Sequence, residues 1–356
     1  MADDQALSEF ADSAPCKLTK GYAELRRCVM QRHLLDKQPV YYAFKVLLNL
    51  CLLGLGVTML VLLKNSWFQL LNAAFLAFAF TQLAFIVHDA GHQQILDARW
   101  KNDLIGILHA SLLLGFSYTW WVIPHNLHHG KPNELGADPD INFAVFAFTQ
   151  AQASRKRGFL RWTAKYQAYL FFPLLLLEAV NLKVNHIRLL LRNKVKYRAA
   201  ELVCLAFHFL LYFGLLFRYL SPVHAALFIV VHQAIFGLYL GMVIAPNHIG
   251  MPVLSKNTRM DFLSQQVLTA RNIRRRWFTD YCFGPLCCQI EHHLFPTMPL
   301  NKHREAQKIV RPYCEAQGIA YHETSPLQSY REILRFLHKV SAPLRKGAEG
   351  MSNGNA

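Results

Sequence analysis

Four long apolar stretches constrain this chain more than any other feature. They are 42–64 (YYAFKVLLNLCLLGLGVTMLVLL), 67–87 (WFQLLNAAFLAFAFTQLAFIV), 200–220 (AELVCLAFHFLLYFGLLFRYL) and 223–246 (VHAALFIVVHQAIFGLYLGMVIAP). A helix needs about 20 apolar residues to cross the hydrocarbon of a bilayer, and each stretch meets that length. Asn65 and Ser66 break the first pair, and Ser221 and Pro222 break the second. The expected fold is therefore all-α and integral to a membrane, with four spans in two hairpins.

The charged residues orient those hairpins. Only 17% of the 356 residues are charged and 53% are hydrophobic, yet the formal net charge is +16. Lys64 and Arg218 are the only Lys or Arg residues at the hairpin tips, and Lys45 sits near the start of the first span. Nearly all the others fall in 1–41, 88–198 and 247–356. Basic residues collect on the cytoplasmic side, so both termini and the long middle segment are expected there. This bias accounts for the basic excess. No basic segment is interleaved with a nucleic-acid motif, and no nucleic-acid partner is expected.

The segment 1–41 is read as a cytoplasmic N-terminal segment, 42–343 as one domain, and 344–356 as a disordered tail. The opening MADDQALSEF is acidic and lacks the apolar core of a secretory signal. The eight cysteines (Cys16, Cys28, Cys51, Cys204, Cys282, Cys287, Cys288 and Cys314) form no C-x-x-C pair and are read as free thiols in a reducing compartment. Beyond residue 300, segments 301–317 and 326–340 carry helical apolar spacing, for example Leu327, Tyr330, Ile333, Leu334, Leu337 and Val340. They are expected to cap the cytoplasmic face.

Three histidine clusters stand just outside apolar runs: His88-Asp89-Ala90-Gly91-His92, His125-Asn126-Leu127-His128-His129, and Gln289-Ile290-Glu291-His292-His293. On a helix, residues three or four apart share a face. His88 and His92 point together, as do His125, His128 and His129, and as do Gln289, His292 and His293. A lone pair of this kind is usually a core feature. Three clusters on one side of a membrane point to a metal centre. Seven histidines exceed the four ligands of a single zinc site and suit two metals. Imidazole alone does not choose among Zn, Cu, Fe and Ni. The apolar setting points to an acyl substrate, and taking hydrogen from an unactivated methylene needs a metal–oxygen oxidant. Two irons with dioxygen are favoured, since zinc could only hydrolyse. A divalent-metal transporter would instead place facing histidines along the spans, whereas here the dense clusters lie outside them.

Two further apolar runs, 104–123 and 166–180, complicate the count. If the run 104–123 crossed once, His88 and His92 would lie opposite His125, His128 and His129. A shared site requires this run, and by the same parity 166–180, to dip in or lie at the interface as interfacial helices.

The sequence at this point resembles the membrane fatty acid desaturases. HDAGH is similar to their first histidine box and HNLHH to their second. The stretch HNLHHGKPNELGADPDI (125–141), the segment LTARNIRRRWFTDYCFGPL (268–286) and QIEHHLFPTMP (289–299) are closest to the front-end acyl desaturases, in which glutamine replaces the first histidine of the third box. The resemblance covers roughly residues 40–340. It implies a di-iron centre held by His88, His92, His125, His128, His129, His292 and His293, with dioxygen as co-substrate and a cis double bond in a fatty acyl chain as the product. His248 in APNHIGMP (245–252) fits the place of a further ligand after the fourth span, and its neighbour Asn247 fits that of a water-holding residue. Alternatively, the pair simply caps the helix end. Gln289 either ligates, holds a water or leaves one iron more open. A related lipid hydroxylase on the same centre is the alternative chemistry. No HPGG stretch of a fused haem domain occurs, so a separate electron donor is expected, a ferredoxin or cytochrome with its reductase. The substrate is expected to be a fatty acyl lipid or acyl-CoA, and the setting a bacterial inner membrane rather than the endoplasmic reticulum.

Supporting residues carry two readings each. Asp89, Asp138 and Asp140 either orient ligand N–H groups or, for Asp138-Pro139-Asp140, simply form a turn. Tyr118, Trp120 and Trp121 either line an acyl channel or belong to an interfacial aromatic belt. Arg271, Arg274, Arg275 and Arg276 either bind an acidic donor or phosphate, or lie against anionic lipid. His208, His224 and His232, within the spans, are read as neutral packing groups. Glu291 is read as a surface residue or a supporting group.

Overall fold

The computed structural model describes residues 21–274 and 277–349. Cys16, Arg275, Arg276 and the last part of the expected tail lie outside the described residues. A short helix α1 (Tyr22–Gln31) precedes the first hairpin, α2 (Pro39–Leu63) and α3 (Gln69–Gly91). Next come α4 (Arg99–Ile107), which continues as a π-helical stretch over Leu108–Leu114, and α5 (Tyr118–Gly130). Four shorter helices follow: α6 (Gln150–Arg155), α7 (Gly158–Lys165), α8 (Gln167–Leu175) and α9 (Glu178–Arg192). The second hairpin is α10 (Arg198–Tyr219) and α11 (Pro222–Ile244). The C-terminal part holds α12 (Phe262–Leu268), β1 (Asn272–Ile273), α13 (Trp277–Phe283), α14 (Gln289–Leu294), α15 (His303–Ala316), β2 (Glu323–Thr324), α16 (Pro326–Val340) and α17 (Ala342–Glu349). Helix α17 runs into the stretch expected to be a disordered tail.

Both hairpins form where the apolar runs require them. α2, α3, α10 and α11 are each long and apolar enough to cross a membrane. Pro39 and Pro222 occupy first-turn positions, where the missing N–H costs nothing. Ser221 caps α11 by accepting from the His224 backbone N–H, and Asn65 at the tip of the first hairpin accepts from the Ser221 N–H at 2.5 Å. Buried amides join α2 to α3: Asn49 Nδ2 donates to the Gln82 carbonyl at 2.9 Å, and Asn72 Nδ2 to the Gly56 carbonyl at 3.0 Å. In hydrocarbon such side-chain bonds hold helices together where apolar burial cannot. α3 and α11 form the enclosed centre of the bundle. α2 and α10 flank it and expose aliphatic faces that include Phe44, Leu47 and Leu62, and Phe207, Leu210 and Phe217.

Neither of the two extra apolar runs makes a straight crossing. The chain turns by 117° between Arg99–Leu114 and Tyr118–Gly130, and by 72° between Gln167–Leu175 and Glu178–Arg192. Gly115 makes the first bend possible. Its φ is +80°, and a Cβ there would meet the His208 ring at 2.4 Å. Glu201 of α10, fully buried, then fastens the bend. Its carboxylate accepts from Ser111 Oγ at 3.3 Å, Ser117 Oγ at 2.5 Å, the Thr119 N–H at 3.2 Å and the Thr119 hydroxyl.

The C-terminal segments close over the end of the bundle where α3 and α11 terminate. α1, α14 and α15 share one core of Leu25, Val29, Leu294, Phe295, Val310 and Tyr313. In α16, Ile333 and Leu337 pack on Phe171 and Leu175 of α8. The parallel pairing of β1 with β2, Asn272 opposite Glu323, ties the two halves of this cap.

One expectation needs adjustment, that all eight cysteines are free thiols. Cys51, Cys204, Cys282, Cys287, Cys288 and Cys314 keep their thiols, but Cys28 is disulfide-bonded. The lack of a C-x-x-C pair excludes a local redox motif, not a bridge over a longer separation. Lys45 is not a stray charge at the start of a span, because its Nζ lies 3.0 Å from Asp89 Oδ2 in a nearly buried ion pair. The in-span histidines do pack by hydrogen bonds: His208 Nδ1 to the Leu112 carbonyl at 3.0 Å and His232 Nδ1 with the Tyr212 hydroxyl at 2.9 Å.

Glu201→Ala removes the acceptor shared by Ser111, Ser117 and Thr119, and each buried donor left unpaired costs about 1–3 kcal/mol. The variant is expected to unfold at a clearly lower temperature in detergent, while Glu201→Gln, which keeps one acceptor oxygen, falls between. Equal midpoints for Glu201→Ala and the wild type would refute the role of this carboxylate in the bend.

Candidate metal centre

Each ligand-bearing segment is delivered by a different element. Helix α3 continues past its apolar run, so His88 lies in its last turn and His92 is the residue that ends it. Gly91 between them allows close packing, since a Cβ there would lie 2.6 Å from the Trp121 ring. His125, His128 and His129 occupy the last turns of α5. His248 follows the one-turn 3-10 helix Ala245–Asn247 at the end of α11. Gln289, His292 and His293 lie on α14, all buried.

The rings converge as two groups. Donor nitrogens of His88, His92, His125 and His292 lie within 4.8 Å of one another, and so do those of His128, His248 and His293. In the first group, His92 Nε2 and His125 Nε2 are 2.8 Å apart. In the second, His128 Nε2 and His248 Nε2 are 3.2 Å apart. His129 belongs to neither group and sits between them, with ring centroids 4.3 Å from His92, 4.7 Å from His292 and 4.0 Å from His293. Both of its ring nitrogens are buried without a hydrogen-bond partner.

The second group fits a cation on hydrogen-bond grounds alone. His128 Nδ1 lies 2.9 Å from Asp138 Oδ2, His248 Nδ1 lies 2.9 Å from the Thr269 carbonyl, and His293 Nδ1 lies 2.8 Å from Gln266 Oε1. Gln266 Nε2 donates to the His129 carbonyl at 3.1 Å, which fixes its oxygen toward His293. Carbonyl and carboxylate oxygens can only accept, so all three histidines carry their proton on Nδ1. Their Nε2 lone pairs are then directed into one small space, an arrangement that calls for an electron-pair acceptor. Protons do not fill that role at His248 and His293, whereas at His128 burial is outweighed by Asp140 and Asp138, which raise its pKa. Burial, followed by the neighbouring histidines, holds His293 well below the usual histidine range, and burial and His128 push His248 down to about 3. Burial, then His88 and His92, likewise depresses His292. Asp138 stays ionised: burial opposes this, but the His128 hydrogen bond and charge lower its pKa.

The supporting residues divide the readings made from sequence. Asp89 lies 3.2 Å from His88 Nδ1 and is paired with Lys45. Asp138 both supports His128 and caps the turn, accepting from the Asp140 and Asn133 N–H groups at 2.8 and 2.7 Å. Trp121 stacks on His125 with centroids 4.5 Å apart. Tyr118 points away, its hydroxyl 3.3 Å from Asp103. Asn247 donates from Nδ2 to the Val243 carbonyl at 3.2 Å, and its buried Oδ1 has no hydrogen-bond partner. Gln289 Nε2 lies 3.0 Å from His248 Nε2, beside the second group, and its buried Oε1 has no partner.

One reading is corrected, and one of two alternatives falls. Glu291 is not at the surface, which leaves its reading as a supporting group. It is fully buried and binds Asn272 Nδ2 at 2.7 Å and the Tyr321 hydroxyl at 2.6 Å, and burial pushes its carboxyl up to about 7. Arg271 is available to neither a donor protein nor lipid, because its side chain is fully buried and bound within the chain. A helical-face argument places Glu291 away from the ligands, but that face turns into the cap and not to water. Gln266 and the Thr269 carbonyl escaped sequence reading because nothing local marks them as partners of distant histidines.

Fold and site together define a multi-pass helical membrane protein with a clustered histidine site that suits metal at one end of its bundle. A profile of the fatty acid desaturase family matches residues 65–325. Among individual proteins, the chain is 29% identical over 337 residues to an acyl-lipid (9-3)-desaturase of Physcomitrium patens, covering 91% of this chain and 63% of that protein. It is 30% identical over 334 residues to a Delta(8)-fatty-acid desaturase of Euglena gracilis, covering 89% and 77%. It is 32% identical over 281 residues to a Delta 8-(E)-sphingolipid desaturase of Kluyveromyces lactis, covering 73% and 49%. The chain belongs to the fatty acid desaturase family.

Gln266→Leu removes the acceptor for His293 Nδ1 and the donor to the His129 carbonyl. Loss of such a partner typically weakens metal binding about 10–100-fold. Competition with a chelator on the purified chain measures this, and unchanged affinity would remove Gln266 from the support of the centre.

Proposed function

We propose that this chain is an oxygen-dependent desaturase of fatty acyl chains, of the front-end type, working on a lipid-linked or CoA-linked acyl substrate at the membrane. The observation that carries this reading is the convergence of eight histidines on the end of an apolar four-helix bundle, in a chain of the desaturase family. Two iron ions held by these histidines, with dioxygen and two electrons, would supply the oxidant that an unactivated methylene requires. The ligand set is His88, His92, His125 and His292 on one side and His128, His248 and His293 on the other, with His129 between them.

The chain's own residues prepare that chemistry. Asp138, the Thr269 carbonyl and Gln266 keep protons on the outer nitrogens and turn the inner ones toward the metal positions. The Lys45–Asp89 pair does the same for His88 while adding no net charge to a buried end of α3. Trp121, lying over His125, screens the first group from water. Gln289, 3.0 Å from His248 Nε2, and Asn247, next to His248 in the chain, each carry a buried, unpaired amide oxygen and are assigned to the handling of the second group's remaining position. Electrons come from a separate ferredoxin or cytochrome with its reductase. Both termini face the cytoplasm, and the bacterial inner membrane is the favoured setting.

Lipid analysis of a host expressing the chain tests the reaction. New cis-unsaturated chains are expected, and hydroxylated chains with no new double bond would establish a lipid hydroxylase on the same centre instead. Metal analysis should find about two irons per chain; bound zinc without oxygen uptake would sink the oxidative reading. His129→Ala should abolish product while the chain still inserts in the membrane. Gln289→Ala should lose most activity, and Gln289→His should be poorly tolerated. Full activity in the alanine variant would reduce Gln289 to a packing residue.

A further inference from the structure

The end of α11 poses a physical problem. A helix leaves its last carbonyls without intrahelical partners, and here that end is buried and carries a metal-ligand candidate, His248. Beyond α11, across the end of the one-turn 3-10 helix that extends it, four successive carbonyls are nonetheless satisfied. Arg271 Nε donates to the Pro246 carbonyl, the Arg271 backbone N–H to the Asn247 carbonyl at 3.0 Å, and Arg271 Nη2 to the Ile249 carbonyl. Asn133 Nδ2 donates to the fourth, the His248 carbonyl, at 3.2 Å. The carbonyl of Thr269, two residues before Arg271, receives His248 Nδ1. A single segment, 269–271, therefore shapes the backbone on both sides of His248 and sets the orientation of its ring.

Arg271 is itself held from outside the bundle. Its side chain is fully buried, and Glu332 of α16 is its carboxylate partner, with Nη1 2.6 Å from Oε2. Gln328 Nε2 and His322 Nε2 support the same carboxylate at 3.1 and 3.2 Å. Three donors on one planar guanidinium, aimed at two backbone carbonyls and a carboxylate, form a template that an ammonium cannot reproduce.

We infer that Arg271 is a positioning residue for the second metal position, and that Glu332 links the seating of the C-terminal helix α16 to the hold of His248 on that metal. This rests on the two-metal reading above. Among the described residues, the hydrogen bonds of Arg271 and Glu332 reach none of the first group, His88, His92, His125 and His292, which serves as an internal reference.

The test is metal content and chelator resistance of the purified full chain in detergent, with thermal unfolding in parallel. His248→Ala defines the behaviour of a chain impaired at the second position. Arg271→Lys and Glu332→Ala are expected to weaken one of the two metals by about 10–100-fold while the other is retained as in the wild type. Glu332→Gln, which keeps an acceptor oxygen, should fall between. If both variants hold two metals as tightly as the wild type, or release both together as the fold melts, the inference is overturned. Should Arg271→Lys not accumulate, Glu332→Ala, which leaves Arg271 in place, decides the matter. A wild type holding one metal overturns the two-metal reading instead. The inference then stands if that metal is lost in His248→Ala and loosened in Glu332→Ala, and fails otherwise.

Discussion

Everything in this fold serves one unfavourable arrangement, the crowding of imidazole lone pairs into a buried space. His92 Nε2 and His125 Nε2 stand 2.8 Å apart, and the His128 and His248 Nε2 atoms, 3.2 Å apart, cannot bond each other once their outer nitrogens are committed to acceptors. The arrangement persists because each histidine is anchored to a different rigid element. The two membrane hairpins fix the ends of α3 and α11. The bend at Gly115, fastened by Glu201, returns α5 to the same side. The cap holds α14 down through Asn272, Glu291 and Tyr321. A metal ion is the natural occupant of such a space, and its binding free energy would feed back into the stability of all these segments.

The membrane frame and the ligand candidates were legible in the sequence because both are local signals. Twenty apolar residues in a row, or histidines three and four apart, need no knowledge of the rest of the chain. The parity of the crossings was also legible, though only through the assumption of a shared site, and the 117° turn now supports it independently. What could not be read were pairings over long separations. Glu201 with Ser117, Gln266 with His293 and Arg271 with Glu332 are 84, 27 and 61 residues apart. A charged residue within such a pair looks in sequence like any surface charge. Arg271 is the clearest case, since it stands beside the basic run of Arg274, Arg275 and Arg276 yet lies fully inside.

Helix boundaries shifted for a related reason. Hydropathy ends the second span at Val87, whereas α3 continues to Gly91. The added turn carries His88 and Asp89, polar groups that a hydropathy reading assigns to the membrane exterior. Lys45 pairs with Asp89, which in turn lies 3.2 Å from His88 Nδ1, so the helix extends without exposing an unpaired charge to hydrocarbon. The site is thus built by prolonging the transmembrane helix itself, which is more rigid than a loop and better able to hold a ring in place.

The two histidine groups are not equivalent. Four imidazoles gather in the first and three in the second, where the Gln289 amide lies beside His248. His248 donates from Nδ1 to Thr269, so its Nε2 can only accept, and the Gln289 amide nitrogen at 3.0 Å is its donor. A cation on that same Nε2 excludes the N–H. Only the oxygen face of the amide, whose Oε1 is buried and unpaired, is then compatible with the site. An imidazole at position 289 would offer a stronger donor and close the second position as the first is closed. On the proposed two-metal reading, glutamine would keep the donor weak and able to turn, and would leave the second position the more accessible of the two.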